Sequence, residues 1–290
     1  MAAVAPVGRR SADISFSARW VLLGSFVLLA APTFWTLSQQ VWTREGGSQG
    51  PIVLATGAWL LWSRRSEFER DAQPGAPWIT AALLVPALAI YVFGRAYDFV
   101  SLEAAGLYCA GLAFLQSWLG TGALLKSWFP ILYLAFLIPA PGWMIDALTA
   151  PLKQFVAHAA TDLLRGAGIP IMQQGVTLVV AQYTLLVKDA CSGMNSITGL
   201  LAIGLLYVYL RHRSSWRYSL VLCLLLAPIA IATNIFRIAV LVLLTYRFGD
   251  AVAEGFLHFT TGILLFGVAL CLMFVCDALL QRIWPQRGSR

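Results

Sequence analysis

Three short stretches of this sequence combine residue types that could do chemistry. The first, Lys188-Asp189-Ala190-Cys191-Ser192-Gly193-Met194-Asn195-Ser196, sets a cysteine among small and polar residues where a long apolar segment begins. Free amides at a helix N-terminus favour a thiolate through their dipole, and Gly193 permits close backbone approach. The second, Asn234-Ile235-Phe236-Arg237-Ile238, holds an arginine inside the longest apolar run, where a charge is costly and tends to mark function. Asn234 shares its helix face and is placed to orient it or to bind substrate. In the third, Glu254 stands four residues before His258, so on one helix the carboxylate would orient the imidazole and raise its basicity. A cysteine, a base and a fixed cation are what acyl transfer through a thioester needs: nucleophile, proton shuttle and oxyanion partner.

Each residue also has a plainer reading. Membrane-protein cysteines usually pack as small hydrophobes, an arginine near a helix end snorkels to the headgroups, and a lone interfacial histidine is more often a satisfied packing residue. The three acquire weight together only if the fold brings them to one level.

The elements that would do so are membrane helices. With 59% hydrophobic and 11% charged residues and a mean hydropathy of +0.76, the 290-residue chain has too few charges to coat a soluble globule of its size. The net charge of +7 and pI near 9.4 are explained by arginine retained in cytoplasmic loops, so no nucleic-acid partner is expected. The cysteines at 109, 191, 223, 271 and 276 show no metal-ligand spacing and imply no disulfide framework. No metal or organic cofactor site is expected.

The fold class expected is an all-α polytopic membrane protein. Eight apolar segments approach the roughly 20 residues needed to cross a bilayer: 18–37, 48–63, 77–94, 99–119, 122–139, 194–210, 218–246 and 256–280. The second is the least regular, because Gly46, Gly47, Gly50 and Pro51 interrupt its start. The first follows Arg9 and Arg10 and lacks a small-residue cleavage site, so it reads as an uncleaved helix. With an inside N-terminus, 13 of the 20 Lys and Arg residues fall on the cytoplasmic side. Residues 1–17 and 281–290 are then cytoplasmic tails around one integral-membrane domain, 18–280, in the cytoplasmic membrane.

The long outer connection, 140–193, divides in two. From 143 to 165, Met144, Leu148, Leu152, Phe155, Ala159 and Leu163 recur at helical spacing opposite Asp146, Lys153, His158, Asp162 and Arg165, which predicts an amphipathic helix in the outer interface. Gly166, Gly168 and Pro170 stop it. From 175 to 187, β-branched and aromatic residues broken near Ala181-Gln182 predict a small hairpin leading to Cys191. A hairpin there could offer an edge to an extended peptide, or serve as a structural cap. Helix seven enters from the cytoplasm near Tyr218; nineteen residues at about 1.5 Å each lift Arg237 by roughly 28 Å, to the outer level expected for Cys191 and His258. His212 sits among cytoplasmic arginines and His158 on the wet face of the interfacial helix, so neither competes.

On Ala190-Cys191-Ser192-Gly193, the Asn234-to-Arg237 segment, His258 with Gly262, and Gly168-Ile169-Pro170 followed by the hairpin, the sequence resembles the exosortase and archaeosortase family of membrane cysteine transpeptidases. The resemblance covers most of the chain and is strongest over about 160–275. It implies a substrate exported with a C-terminal sorting signal: a short motif such as Pro-Glu-Pro, a transmembrane helix and a basic tail. It further implies cleavage at that motif and transfer to a surface acceptor, lipid or polysaccharide. By the resemblance Cys191 is the nucleophile, His258 the acid/base and Arg237 the stabiliser of the tetrahedral intermediate, with Asp189, Ser192, Gly193, Asn195, Asn234 and Glu254 in support. Met194-Asn195-Ser196 departs from the Leu-Arg-Ser form associated with many members. Two other classes fit the composition: a transporter whose Arg237 binds an anion, and a non-catalytic assembly protein for surface polysaccharide export.

Overall fold

The computed structural model describes residues 16–43, 47–186, 193–211, 216–249 and 256–283, with the backbone alone at 16–19, 148, 186, 193–198, 216 and 256–266. Contacts within the chain group it into two units, 1–39 with 66–126 and 40–65 with 127–290.

In the first unit, α1 (Phe16–Gln40), α4 (Pro77–Ala96) and α5 (Val100–Lys126) pack together, and the short α3 (Arg65–Asp71) leads into α4. The α4–α5 hairpin closes on small residues, as membrane helices do when backbones must approach. A Cβ on Gly94 would fall 2.3 Å from the Glu103 amide nitrogen, and one on Gly106 2.5 Å from that of Tyr91. Glu103 is buried and accepts from Arg95 Nη1 at 3.0 Å, while the same nitrogen donates to Thr36 Oγ1 at 3.0 Å. The Tyr91 hydroxyl donates to the Leu29 carbonyl at 2.9 Å, tying α4 to α1.

The second unit holds α2 (Gly50–Ser63), α6 (Trp128–Leu134) with a 3₁₀ turn (Ala135–Leu137), α7 (Gly142–Gly166), a three-stranded sheet, and α8 (Gly193–Arg211), α9 (Trp216–Phe248) and α10 (Phe256–Ile283). In α7, the Ile169 amide reaches back to the Leu164 carbonyl at 3.0 Å and the Gly168 amide to that of Arg165 at 2.9 Å, with Gly168 at φ +80°. This is a Schellman closure, and it needs a residue that tolerates the left-handed conformation.

Two expectations change. Among the described residues, three helices are long and apolar enough to cross a membrane, Trp20–Gln40, Pro77–Ala96 and Arg217–Phe248. Val100–Lys126 and Trp128–Leu137 add a fourth if that bent pair counts as one span, so the described residues do not make eight. For segments 48–63 and 122–139 the reasons are local. Segment 48–63 yields a helix of only 14 residues, and segment 122–139 is divided between the end of α5, α6 and the 3₁₀ turn. Gly120, at φ +78°, breaks α5 where the Gln73 carbonyl occupies the space of a Cβ.

Second, the hairpin is the latter part of a three-stranded antiparallel meander, β1 (Ile171–Gln174), β2 (Thr177–Val180) and β3 (Tyr183–Leu186). Two-residue turns pair Gln174 with Thr177 and Val180 with Tyr183; the second turn is Ala181-Gln182, as the sequence predicts. The helix α7 forms over the expected residues, and a second apolar row beside the expected stripe packs on protein. Val156, Ala157, Ala160 and Leu164 are buried against the sheet and α9, whereas Phe155 and Leu163 of the expected stripe point outward, 57% and 55% exposed. The helix is apolar over a wider arc than one interface requires.

Candidate functional site

The fully described part of the candidate site lies on α9. Its turn at Ile238, Ala239 and Val242 is buried in one cluster with Val156, Ala160 and Leu164 of α7 and with Ile171, Leu178 and Val180 of the sheet; Tyr183 and Leu185 pack against the same cluster. Arg237 and Asn234, one turn apart, are 5% and 4% exposed. A guanidinium in so apolar a helix must be held by polar groups around it, because an isolated buried charge is prohibitive. The inner face of the sheet thus rests on the turn that carries Arg237, and Cys191 follows its last strand by five residues in the sequence.

Helix register relates the three stretches. Late α8 packs on early α9, since Val208 clusters with Tyr218 and Leu222, while Leu200 clusters with Leu226, Ile229 and Ala230; the helices are antiparallel. Gly204 lies against Leu226, where a Cβ would come within 2.6 Å of Cδ1. Eleven residues back from Gly204 is Gly193, and eleven forward from Leu226 is Arg237. Both steps rise about 16 Å, so the first residue of α8 stands level with Arg237.

A second tie sets α10. The buried carboxylate of Asp277 accepts from the Tyr218 hydroxyl of α9 at Oδ1 (2.5 Å), and at Oδ2 from Tyr207 of α8 (2.5 Å) and from Gln281 Nε2 (2.8 Å). Nineteen residues forward from Tyr218 is Arg237, and nineteen back from Asp277 is His258. Both steps rise roughly 28 Å, bringing the backbone at 258 to the same level. The Asp277 cluster was not among the sequence-derived candidates. The signal was available, as an aspartate within an apolar helix always needs an explanation.

Of the candidates, Arg237 and Asn234 are described in full and share one turn of α9. Gly193 opens α8, and Asn195 and His258 belong to the helical backbones of α8 and α10. Cys191, Ser192, Asp189 and Glu254 lie outside the described residues. The outer arc of α7 carries its charges: Lys153 Nζ bonds Asp146 Oδ1 at 2.9 Å, and the exposed His158 lies 3.5 Å from Asp162.

Long apolar helices, a glutamate and an aspartate each buried against partners, and a small sheet packed against one helix define a helical membrane protein. A sequence model of transmembrane exosortases matches residues 41–275, most of the chain, and the chain belongs to that family. No curated protein and no solved structure matches it.

Proposed function

We propose that this exosortase is a cysteine transpeptidase working at the outer face of the cytoplasmic membrane, with both termini inside. Its substrate is an exported protein ending in a short motif, a transmembrane helix and a basic tail. His258, oriented by Glu254, takes the proton from the Cys191 thiol, and the thiolate attacks the scissile carbonyl. Arg237, steadied by Asn234, stabilises the oxyanion of the tetrahedral intermediate. As the C–N bond breaks, His258 returns the proton to the leaving amine, and a thioester remains on Cys191. An acceptor nucleophile, a lipid or polysaccharide group, then attacks that thioester, and His258 takes its proton to regenerate the enzyme.

The observation that carries this reading is the common level of Gly193, Arg237 and residue 258 on three packed helices. A transmembrane tail docked beside those helices would hold its motif at that level, so positioning would come from the bilayer as well as from the site. The test is cleavage of an exported reporter bearing such a tail, co-expressed with the protein. Cys191→Ala is expected to abolish cleavage and Cys271→Ala to leave it unchanged; full cleavage by Cys191→Ala overturns the assignment.

A further inference from the structure

The three-stranded sheet has two outer edges, and they differ. Along β1 the edge is covered: α7 packs against it, and Arg165 Nε donates to the Ile171 carbonyl at 3.2 Å. His158 Nδ1 and Gln173 Oε1, 3.3 Å apart, add a second link between α7 and β1. Along β3 no other backbone among the described residues pairs with the strand. An open edge is a template for another extended chain, and soluble sheets cover or charge it. Tyr183-Thr184-Leu185-Leu186 contains no charge and no proline to do so.

The register shows which groups that edge presents. In a two-residue hairpin the residues flanking the turn exchange both backbone bonds, and bonded and non-bonded pairs then alternate. Val180 bonds Tyr183 and Leu178 bonds Leu185, so Thr184 and Leu186 direct their N–H and C=O groups away from β2. The same parity makes Ile171 an outward residue of β1, and its carbonyl is the one that Arg165 caps. Tyr183 and Leu185 pack on the cluster at Ile238, while Thr184 is exposed. The strand is therefore anchored on the turn next to Arg237 and is continuous with the Cys191 segment.

We propose that the β3 edge binds the substrate's short cleavage motif as a fourth, extended strand, with Thr184 and Leu186 exchanging main-chain hydrogen bonds with it. This rests on the cysteine-transpeptidase reading of the site. It commits to an extended polypeptide as the occupant for two reasons: the outward groups at Thr184 and Leu186 match a peptide backbone, and the chain from Leu186 reaches Cys191 within five residues, at most about 17 Å. Main-chain pairing supplies affinity with little demand on side chains, leaving choice of motif to the groups around it.

The decisive variant is Thr184→Pro, which deletes an outward amide that β2 does not use, a position where an edge strand tolerates proline. Cleavage of the exported reporter, built with a Pro-Glu-Pro motif, is expected to fall about tenfold or more, while Thr184→Val cleaves like wild type. A second measurement is independent of how proline affects folding. In the Cys191→Ala background, Thr184→Cys is expected to form a disulfide with a cysteine in the reporter motif. Met172→Cys, exposed on the same sheet face but two strands away, is expected to form none. Cys191-dependent cleavage that survives Thr184→Pro, or equal cross-linking from both positions, overturns strand addition alone. Cleavage that persists in Cys191→Ala overturns the reading of the site itself.

Discussion

The Tyr218 hydroxyl donates to Asp277 Oδ1 at 2.5 Å, and from that bond equal lengths of helix lead to Arg237 on α9 and to residue 258 on α10. A hydrogen bond at one end of the helix pair thus sets the register of the two helices along their length. The first prediction follows. Asp277→Ala removes the acceptor shared by Tyr207, Tyr218 and Gln281, and a buried polar group deprived of its partner costs about 1–3 kcal/mol. The melting temperature in detergent is expected to fall, and reporter cleavage with it. Tyr218→Phe, which keeps the ring and two of the three donors, is expected to be milder on both counts.

The helix ends around this register were readable from composition and spacing. Gly168 and Pro170 stop α7, and Ala181-Gln182 turns the hairpin, because these residues impose their conformations locally. The strand β1 was not readable, as four residues directly after Gly-Ile-Pro carry too little pattern to separate a strand from a loop. In α7 the 155-to-163 and 156-to-164 rows are both apolar, and the packing of the second on the sheet is a tertiary contact that spacing alone does not announce. Among the described residues the spans are fewer than expected because apolarity does not set helix length: 48–63 forms only 14 helical residues, and 122–139 is shared by the end of α5, α6 and the 3₁₀ turn. Of the candidate site, the place of Asn234 and Arg237 on one helix turn was legible in the sequence. The tie between α8, α9 and α10 at Asp277 is a tertiary contact and leaves no spacing signature.

Arg237 and lysine are not interchangeable in this setting. A planar guanidinium offers several donors in a fixed fork, whereas an ammonium is a compact, strongly hydrated charge. Arg237→Lys and Arg237→Ala are both expected to lower the cleavage rate, the alanine variant by a factor on the order of 10²–10³, as for loss of an oxyanion donor. Single-turnover cleavage of the purified reporter checks this. A loss confined to substrate affinity would count against the oxyanion role.

The α4–α5 hairpin makes a prediction independent of the site. At Gly94 an added Cβ meets backbone at Glu103, which has no rotamer to change. Gly94→Ala is expected to destabilise the protein by about 1–3 kcal/mol, the usual cost of overpacking, read as a lower melting temperature. Gly24, with nothing near the Cβ position, provides the control: Gly24→Ala is expected to melt like wild type.

The buried Glu103 makes the loss of its partner asymmetric. Arg95 is 47% exposed at its side chain and Glu103 only 3%, so Arg95→Ala strands a carboxylate away from water, whereas Glu103→Gln leaves an arginine that can still reach it. Removing one member of a buried pair is costly because the other remains charged and desolvated. Arg95→Ala is therefore expected to be the more destabilising single change, and the double variant Arg95→Ala/Glu103→Gln is expected to recover part of the loss. Melting curves of the four proteins form the cycle; strict additivity would show that the pair contributes nothing beyond its separate residues.

Thiol chemistry supplies the last prediction. A nucleophilic cysteine must be reached by an aqueous substrate and must carry thiolate character near neutral pH, whereas cysteines within apolar helices meet neither condition. Cys223 of α9 and Cys276 of α10 are partly buried, and the exposed Cys271 lies in the apolar α10. A membrane-impermeant maleimide added outside intact cells is therefore expected to label Cys191 in preference to these three, and Cys191→Ala to abolish most of the signal. His258→Ala is expected to slow the labelling of Cys191, because the base that draws off its proton is gone. Arg237→Ala is expected to change it less, since the oxyanion exists only after a carbonyl is attacked. If all three variants label alike, the signal comes from another cysteine and Cys191 is not the exposed nucleophile.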